Sequence, residues 1–293
     1  MERQIWKAIV KMICEVDKSK FDPKETFSAA TIVHVWMWAV VHDRPVSWAV
    51  QQKNWPPCDQ RWAKPSNTTM SRRLRTDAVK TILHQLEQRV LRPTENNNMV
   101  WMIDGKPLVI SGCSKDRQAG YGRAAGGKAK GYKIHVIVGS DGSIAHWRVA
   151  PMNKDERVMA GRMLKQTTIQ GYLLADSNYD SNKLHAACDK TGNLQMVARR
   201  RYGPGKGHGH RKQSPGRMRS KAILENPHNE FGKTLLAQRD DIERYFGRLT
   251  NWGGGLTHLP PWARTHRRVD RWIQAKLIAS QLKPRCCQTT YVN

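Results

Sequence analysis

The 293-residue sequence predicts a mixed α/β domain preceded by a small all-helical domain. Three observations carry that expectation. Apolar residues recur at helical spacing in the first hundred residues, whereas after residue 98 short β-like runs alternate with helical stretches. The charge also shifts. Residues 1–95 hold 16 basic and 10 acidic side chains (net +6), and residues 96–293 hold 34 and 14 (net +20). Between the two styles lies the polar run Pro93-Thr-Glu-Asn-Asn-Asn98, which sets the boundary: a helical domain over 1–97 and an α/β domain over 98–293.

In the first domain Ile5, Trp6, Ile9, Val10, Met12 and Ile13 mark one helix, and Ser28–Val41, apolar nearly all round, marks a central one. A Pro-rich break, Trp55-Pro-Pro-Cys58, precedes a stretch in which Met70, Leu74, Ala78, Ile82, Leu86 and Val90 recur four apart. Ser66, Asn67 or Thr68 caps its start. Arg72, Arg73 and Arg75 crowd its first turns, where a helix-turn-helix recognition helix presents base-contacting side chains. An ordinary amphipathic helix with a solvated basic face is the competing reading.

The second domain opens with strands over Val100–Ile110, Tyr132–Val138 and Ile144–Val149, the second ending in the turn signal Ser-Asp-Gly142. These are expected to pair as an antiparallel meander. A helix over Asp155–Gln166, a strand over Gly171–Ala175, a helix over Asn182–Lys190 and a strand over Leu194–Arg199 follow. The order β-β-β-α-β-α-β implies a sheet of mixed direction. Over residues 199–221 nine of 23 side chains are Lys or Arg, five are Gly and none is acidic, so a loop that orders on a polyanion is expected there. His208 and His210 lack the neighbouring Cys or carboxylate of a metal site. A helical region from Thr234, a Gly-rich turn and a basic helix over about 265–282 complete the chain.

The formal net charge of +26 suits a partner with dense negative charge, since Lys and Arg displace the counterions condensed on a phosphate backbone. Nucleic acid is the leading partner and an anionic membrane surface a weaker second. No apolar run reaches the length of a bilayer span, and the N-terminus lacks the pattern of a secretory signal. Six scattered cysteines without a Cys-x-x-Cys pair read as free thiols of a reducing compartment, so a soluble, cytoplasmic protein is expected.

Three carboxylates stand out. Asp104 follows the apolar run Val100–Ile103, and Asp176 follows Tyr172–Ala175, so each is expected at or near a strand end. An unpaired charge there costs several kcal/mol, so a basic neighbour or a divalent cation must keep it ionised. A turn or helix cap is the plainer role for Asp176 taken alone. Glu243 is expected on a helix with Arg239 one turn earlier and Ile242, Tyr245, Phe246 and Leu249 as the apolar stripe. A surface ion pair is the plainer reading of Arg239 and Glu243.

VWMIDGKPLVIS, KGYKIHVIVGSDG, GYLLADSNYDSNKLHAACDKTGN and RDDIERYFGRL, in this order and spacing, resemble the DDE transposases of bacterial insertion sequences, specifically the large insertion-sequence four/five group. The resemblance spans roughly residues 98–282. It implies an RNase H-like mixed sheet with flanking helices, in which Asp104, Asp176 and Glu243 hold two Mg²⁺ or Mn²⁺ ions. Arg239 and Glu243 fit the group's Tyr-Arg-Glu-Lys signature, whereas Leu236 occupies its Tyr position and Thr250 its Lys position. Arg244 or Arg248 would then take over the basic contact.

The implied reaction is metal-dependent cleavage of double-stranded DNA at terminal inverted repeats, followed by attack of the freed 3′-hydroxyls on target DNA. A homodimer on DNA is implied, because two ends must be joined. Arg72, Arg73 and Arg75 would read the repeats. Arg199, Arg200, Arg201, Lys206, Arg211 and Lys212 of the basic loop, with Arg248, Arg264, Arg267, Arg268 and Arg271, would grip backbone. Trp252 would stack on an unpaired base or pack structurally. Two alternatives share these features: a catalytically inactive relative acting as a sequence-specific DNA-binding protein, and an RNase H-fold nuclease without strand transfer.

Overall fold

The computed structural model describes residues 2–17, 26–91, 98–199, 213–225, 228, 230–251, 255–256 and 258–288. The chain forms two compact units. The first comprises residues 1–93, 249–256 and 270–293, and the second residues 94–248 and 257–269.

The first unit contains α1 (Glu2–Val16), α2 (Ala29–Val41), α3 (Val46–Ala49), α4 (Asn67–Arg73) and α5 (Asp77–Leu91). Ser28 caps α2, its Oγ accepting from Thr31 N at 3.1 Å. As its uniformly apolar sequence predicts, α2 is buried on nearly every side. The Pro-rich break supplies aromatic packing: the Trp38 ring stacks on Trp55 at 4.7 Å and meets Trp6 edge-on at 4.8 Å. The indoles are also satisfied, Trp38 donating to the Asn54 carbonyl at 3.0 Å and Trp55 to that of Ala49 at 2.6 Å.

The stretch expected as one helix after Ser66 is two. Ser66 does cap α4, accepting from Thr69 N at 3.1 Å, but the helix ends at Arg73. Thr76 closes the break by donating its hydroxyl to the Arg73 carbonyl at 2.8 Å, and Asp77 opens α5 at a helix start that favours acid. Of the expected stripe, Met70, Leu74, Ile82, Leu86 and Val90 are buried and only Ala78, beside the break, is exposed; Val79 and Leu83 are buried with them.

The last helix, α11 (His266–Gln288), belongs to the first unit from Asp270 onward. Trp272, Ile273, Leu277 and Ile278 are fully buried, and the Trp36 and Trp272 rings meet at 5.8 Å. Lys276, itself buried, lies 3.2 Å from Asp43. A helix read as a basic arm of the second domain thus serves as core of the helical unit.

The second unit is built on a six-stranded mixed sheet of β1 (Val100–Val109), β2 (Gly120–Ala124), β3 (Gly127–Gly139), β4 (Ile144–Pro151), β5 (Gly171–Ala175) and β6 (Leu194–Ala198). The order is β2-β3-β1-β5-β6, with β4 also on β3. β1, β3 and β4 form the expected antiparallel meander, and β5 and β6 run parallel to β1. This arrangement is compatible with an RNase H-like transposase fold. β2 was not expected, because its Gly-rich, basic sequence lacks apolar alternation. It forms because β3 extends back to Gly127 and offers an edge to pair with.

Helices α6 (Glu156–Leu164) and α7 (Asn182–Asp189) cover one sheet face. Ala160, Met163, Leu184 and Cys188 pack there on Trp101, Ile103, Leu173 and Ala175. Three more helices follow: α8 (Pro215–Glu225), α9 (Glu230–Gln238) and α10 (Asp241–Asn251). The end of the expected basic loop is therefore helical from Pro215, a residue whose fixed φ suits a first helical position. Its centre, residues 200–212, lies outside the described residues. Cys14, Cys58, Cys113 and Cys188 are free thiols, and among the described residues no helix is long and apolar enough to cross a membrane.

Candidate active site

Adjacent parallel strands bring the two aspartates together. β1 and β5 pair Val100 with Tyr172, Trp101 with Leu173 and Met102 with Leu174. Continued two residues further, that register sets Asp104 level with Asp176. Asp104 is not at a strand end, as its sequence context suggested, but mid-strand, because Gly105–Val109 continue the pairing with β3. Its carboxylate accepts the following amide, Gly105 N, at 2.7 Å. Strand alternation puts Met102, Asp104, Lys106 and Leu108 on the face away from α6 and α7.

Burial pushes the Asp104 carboxyl up to about 6. The Gly105 hydrogen bond opposes that rise, the Asp176 and Glu156 carboxylates add to it, and the Arg239 guanidinium opposes it. The same charges surround Tyr179, which is buried with its hydroxyl unpartnered among the described residues. Burial, then Glu156, Asp104 and Asp176, hold that phenol well above its ordinary pKa. Negative charge is therefore concentrated where mid-strand Asp104 lies beside the end of β5.

Asp176 opens a single 3-10 turn, Ser177–Tyr179. Its Oδ1 accepts Asn178 N at 2.9 Å and its Oδ2 accepts the Asn178 side-chain amide at 3.1 Å. The turn-capping role expected of an isolated Asp is thus real, and it coexists with placement beside Asp104. Asp180 closes the turn and binds Arg217 of α8 through both oxygens, at 2.7 and 2.6 Å.

Arg239 and Glu243 do not share one helix. Arg239 sits in the turn between α9 and α10, where Arg239 N, Ile242 N and Glu243 N bond carbonyls three residues back. Asp240 and Asp241 favour a helix start, so they begin α10 instead of extending α9. Arg239 nevertheless lies within electrostatic range of Asp104. Glu243 is exposed in the first turn of α10 and, among the described residues, has no ion pair with Arg239; the pair on that helix is Arg244–Asp241 at 2.6 Å. Ile242, Tyr245, Phe246 and Leu249 are all buried, as their spacing predicts.

Two residues near the site carried no recognised sequence signal. Glu156, first in α6, binds Lys133 of β3 at 2.5 Å. Lys106 lies two residues beyond Asp104 on the same face, 6.0 Å from the centre of the Phe246 ring, and burial lowers its pKa. The i, i+2 spacing of Asp104 and Lys106 in a strand is the signal that points to the second.

Hard carboxylate oxygens at Asp104 and Asp176 fit a divalent cation, and Mg²⁺ is commonly bound by one or two carboxylates plus waters and substrate phosphate. Among the described residues no three His, Cys, Asp or Glu side chains converge into a ready-made ion cage. Asp104 and Asp176 are the candidates to hold such a cation.

Residues 98–282 match the family model of the transposase DDE domain. The chain belongs to that family. No curated protein matches it.

In this transposase the expected DNA-contacting arginines differ in presentation. Arg72 and Arg75 are exposed, but Arg73 is buried at 5% exposure and is turned away from solvent. Arg199, Arg248, Arg267 and Arg268 are exposed, and Arg264 and Arg271 are half-buried. Arg200, Arg201, Lys206, His208, His210, Arg211, Lys212 and Trp252 lie outside the described residues.

Proposed function

We propose that this transposase belongs to the insertion-sequence four/five group and cuts double-stranded DNA at its element's terminal inverted repeats. The freed 3′-hydroxyls would then be joined to target DNA. The observation that carries the reading is the parallel β1–β5 register, which, continued two residues, sets Asp104 level with Asp176 just beyond β5, in a chain of the transposase DDE domain family. Glu243 is the proposed third carboxylate. Its support is positional: Phe246 reaches Lys106 on the Asp104 face, and Glu243 precedes Phe246 by three residues, about one helical turn.

Two Mg²⁺ or Mn²⁺ ions bound there would supply an activated water and a stabilised 3′-oxygen leaving group. The residues' own tasks are separable. Asp104, Asp176 and Glu243 would hold the cations, and Arg239 would balance the carboxylates or meet a phosphate. Arg72 and Arg75 contact the repeats, while the basic residues 199–212, Arg248, Arg267 and Arg268 grip backbone with little sequence preference. Joining two ends calls for a homodimer on DNA.

The test is cleavage of a labelled duplex carrying the flanking inverted repeat, with Mg²⁺ or Mn²⁺, by wild type and Glu243→Gln. Metal-dependent nicking at the repeat boundary, reduced by at least about a hundredfold in the variant, is expected. Tight repeat binding without cleavage by either protein would favour an inactive DNA-binding relative. Cleavage that survives the substitution would remove Glu243 from the site, and cleavage without strand transfer would indicate a nuclease.

A further inference from the structure

We propose that Asp180 and Arg217 are positioning residues for the Asp176 carboxylate: a buried ion pair that locks the turn carrying it to helix α8. The inference rests on the reading of Asp104 and Asp176 as cation-holding carboxylates.

Asp176 and Asp180 are the two ends of one short turn. Asp176 opens it, and the Asp180 amide closes it by donating to the Ser177 carbonyl at 3.3 Å. Whatever fixes Asp180 therefore limits where Asp176 can go. Three intervening residues are too few for slack to accumulate, and Tyr179 among them is buried without measurable exposure.

Asp180 is held by Arg217. Arg217 donates Nε and Nη2 to its two oxygens, at 2.7 and 2.6 Å, and the Asp180 side chain is only 3% exposed. A planar guanidinium facing a carboxylate in this two-point geometry fixes orientation as well as distance. The buried His185 ring lies 3.4 Å from Oδ1. α8, which delivers Arg217, is itself anchored. Gly216 N donates to Asp189 at 2.9 Å, Ser214 N to the Asn182 side chain at 3.1 Å, and Ser220 Oγ accepts from Ala198 N at 3.2 Å.

The turn needs such a hold because its neighbour repels it. Asp104 and Asp176, the latter just beyond β5, carry like charge, and like charges favour separation. A buried ion pair contributes little net stability compared with apolar packing, so stability alone is a weak reason for one here. Orientation of the adjacent carboxylate is a use that apolar packing would not supply.

The test uses the full chain and titrates Mn²⁺, reading both the shift in melting temperature and the rate of end cleavage. Arg217→Lys keeps the charge but loses the two-point contact. The paired variant Asp180→Asn with Arg217→Gln removes both charges together, so no buried ion is left alone. In both, the Mn²⁺ concentration giving half of the maximal melting shift should rise by about tenfold, the usual scale for residues that orient metal ligands. In an Asp176→Asn background the paired variant should change that midpoint no further, as expected if the pair acts through Asp176. Midpoints within about twofold of wild type would reduce the pair to a staple for α8 and overturn the proposal. A further shift in the Asp176→Asn background would also overturn it. If wild type shows neither a melting shift nor cleavage, the reading of the carboxylates fails and the positioning role fails with it.

Discussion

At Asp104 a carboxyl is held mid-strand with a folded-state pKa of about 6, against an ordinary value of 3.8. It therefore binds its proton more tightly in the folded chain than in the unfolded one. Its contribution to stability is full below about pH 4 and is lost as pH rises through 6. His135 has the opposite slope. Burial first, then the Lys133 charge, lowers its pKa to about 4 from 6.5, so stability is lost as pH falls from 6.5 towards 4. The two slopes oppose one another between pH 4 and 6, and the wild-type profile alone would hide both. The difference between Asp104→Asn and wild type isolates the first. The variant is expected to be more stable by about 3 kcal/mol at pH 7.5, with the gain shrinking towards zero at pH 4. Urea denaturation across that range measures it. Added Ca²⁺ at pH 7.5 should stabilise wild type and leave Asp104→Asn nearly unchanged, since the cation and the substitution relieve the same buried charge.

Secondary-structure elements deliver these side chains, and β5 depends on how it begins. Gly171 has φ +92°, and a Cβ there would come within 2.1 Å of the Met99 carbonyl oxygen. That close approach starts the β1–β5 pairing, with Tyr172 N donating to Met99 O at 2.7 Å, and so sets Asp104 against Asp176. Gly171→Ala is expected to cost more than about 3 kcal/mol, because neither partner is a flexible side chain that can give way. Gly192 is the control. Its φ is +85°, but nothing lies within 4 Å of an added Cβ, so Gly192→Ala should cost only the backbone penalty of about 1–2 kcal/mol. Comparing the two variants by urea denaturation separates strain from collision. Helix α10 shows the same dependence of site on element: its buried stripe of Ile242, Tyr245, Phe246 and Leu249 fixes which way Glu243 faces.

For the whole molecule, the decisive feature is that the helical unit is closed by the far end of the chain. Residues 270–293 belong to the same compact unit as residues 1–93, and they contribute fully buried Trp272, Ile273, Leu277 and Ile278. A fragment comprising residues 1–97 alone would expose the apolar surface that these side chains cover. It is expected to be unfolded or aggregated by circular dichroism, and fusing residues 266–293 to it through a flexible linker should restore a cooperative melt. Cooperative melting of the 1–97 fragment alone would show that α11 is dispensable. The charge of +26 acts at this scale too, since it favours polyanion binding whatever the detailed placement of each arginine.

Local pattern was legible where one physical cause dominated. The all-round apolar run of α2, the Ser66 cap, the antiparallel meander and the apolar stripe of α10 each follow from neighbours in sequence. Motif order likewise led to the transposase family and to Asp104 and Asp176. Four features were not legible. The split between α4 and α5, and the turn separating Arg239 from Glu243, arise from competition between continuing a helix and starting a new one at Thr76-Asp77 and Asp240-Asp241. The β2 strand exists because β3 supplies it with an edge. The Asp180–Arg217 pair joins residues 37 apart in sequence, across a long basic stretch whose composition reads only as loop. By itself, the sequence determined the periodicity of most elements, the positive charge and the motifs that mark the family, because these depend on residue type and local spacing. Tertiary structure alone decided the strand register that levels the two aspartates, the burial that raises Asp104, and the return of α11 to the helical unit. Those depend on which distant surfaces meet and exclude water, which residue spacing does not encode.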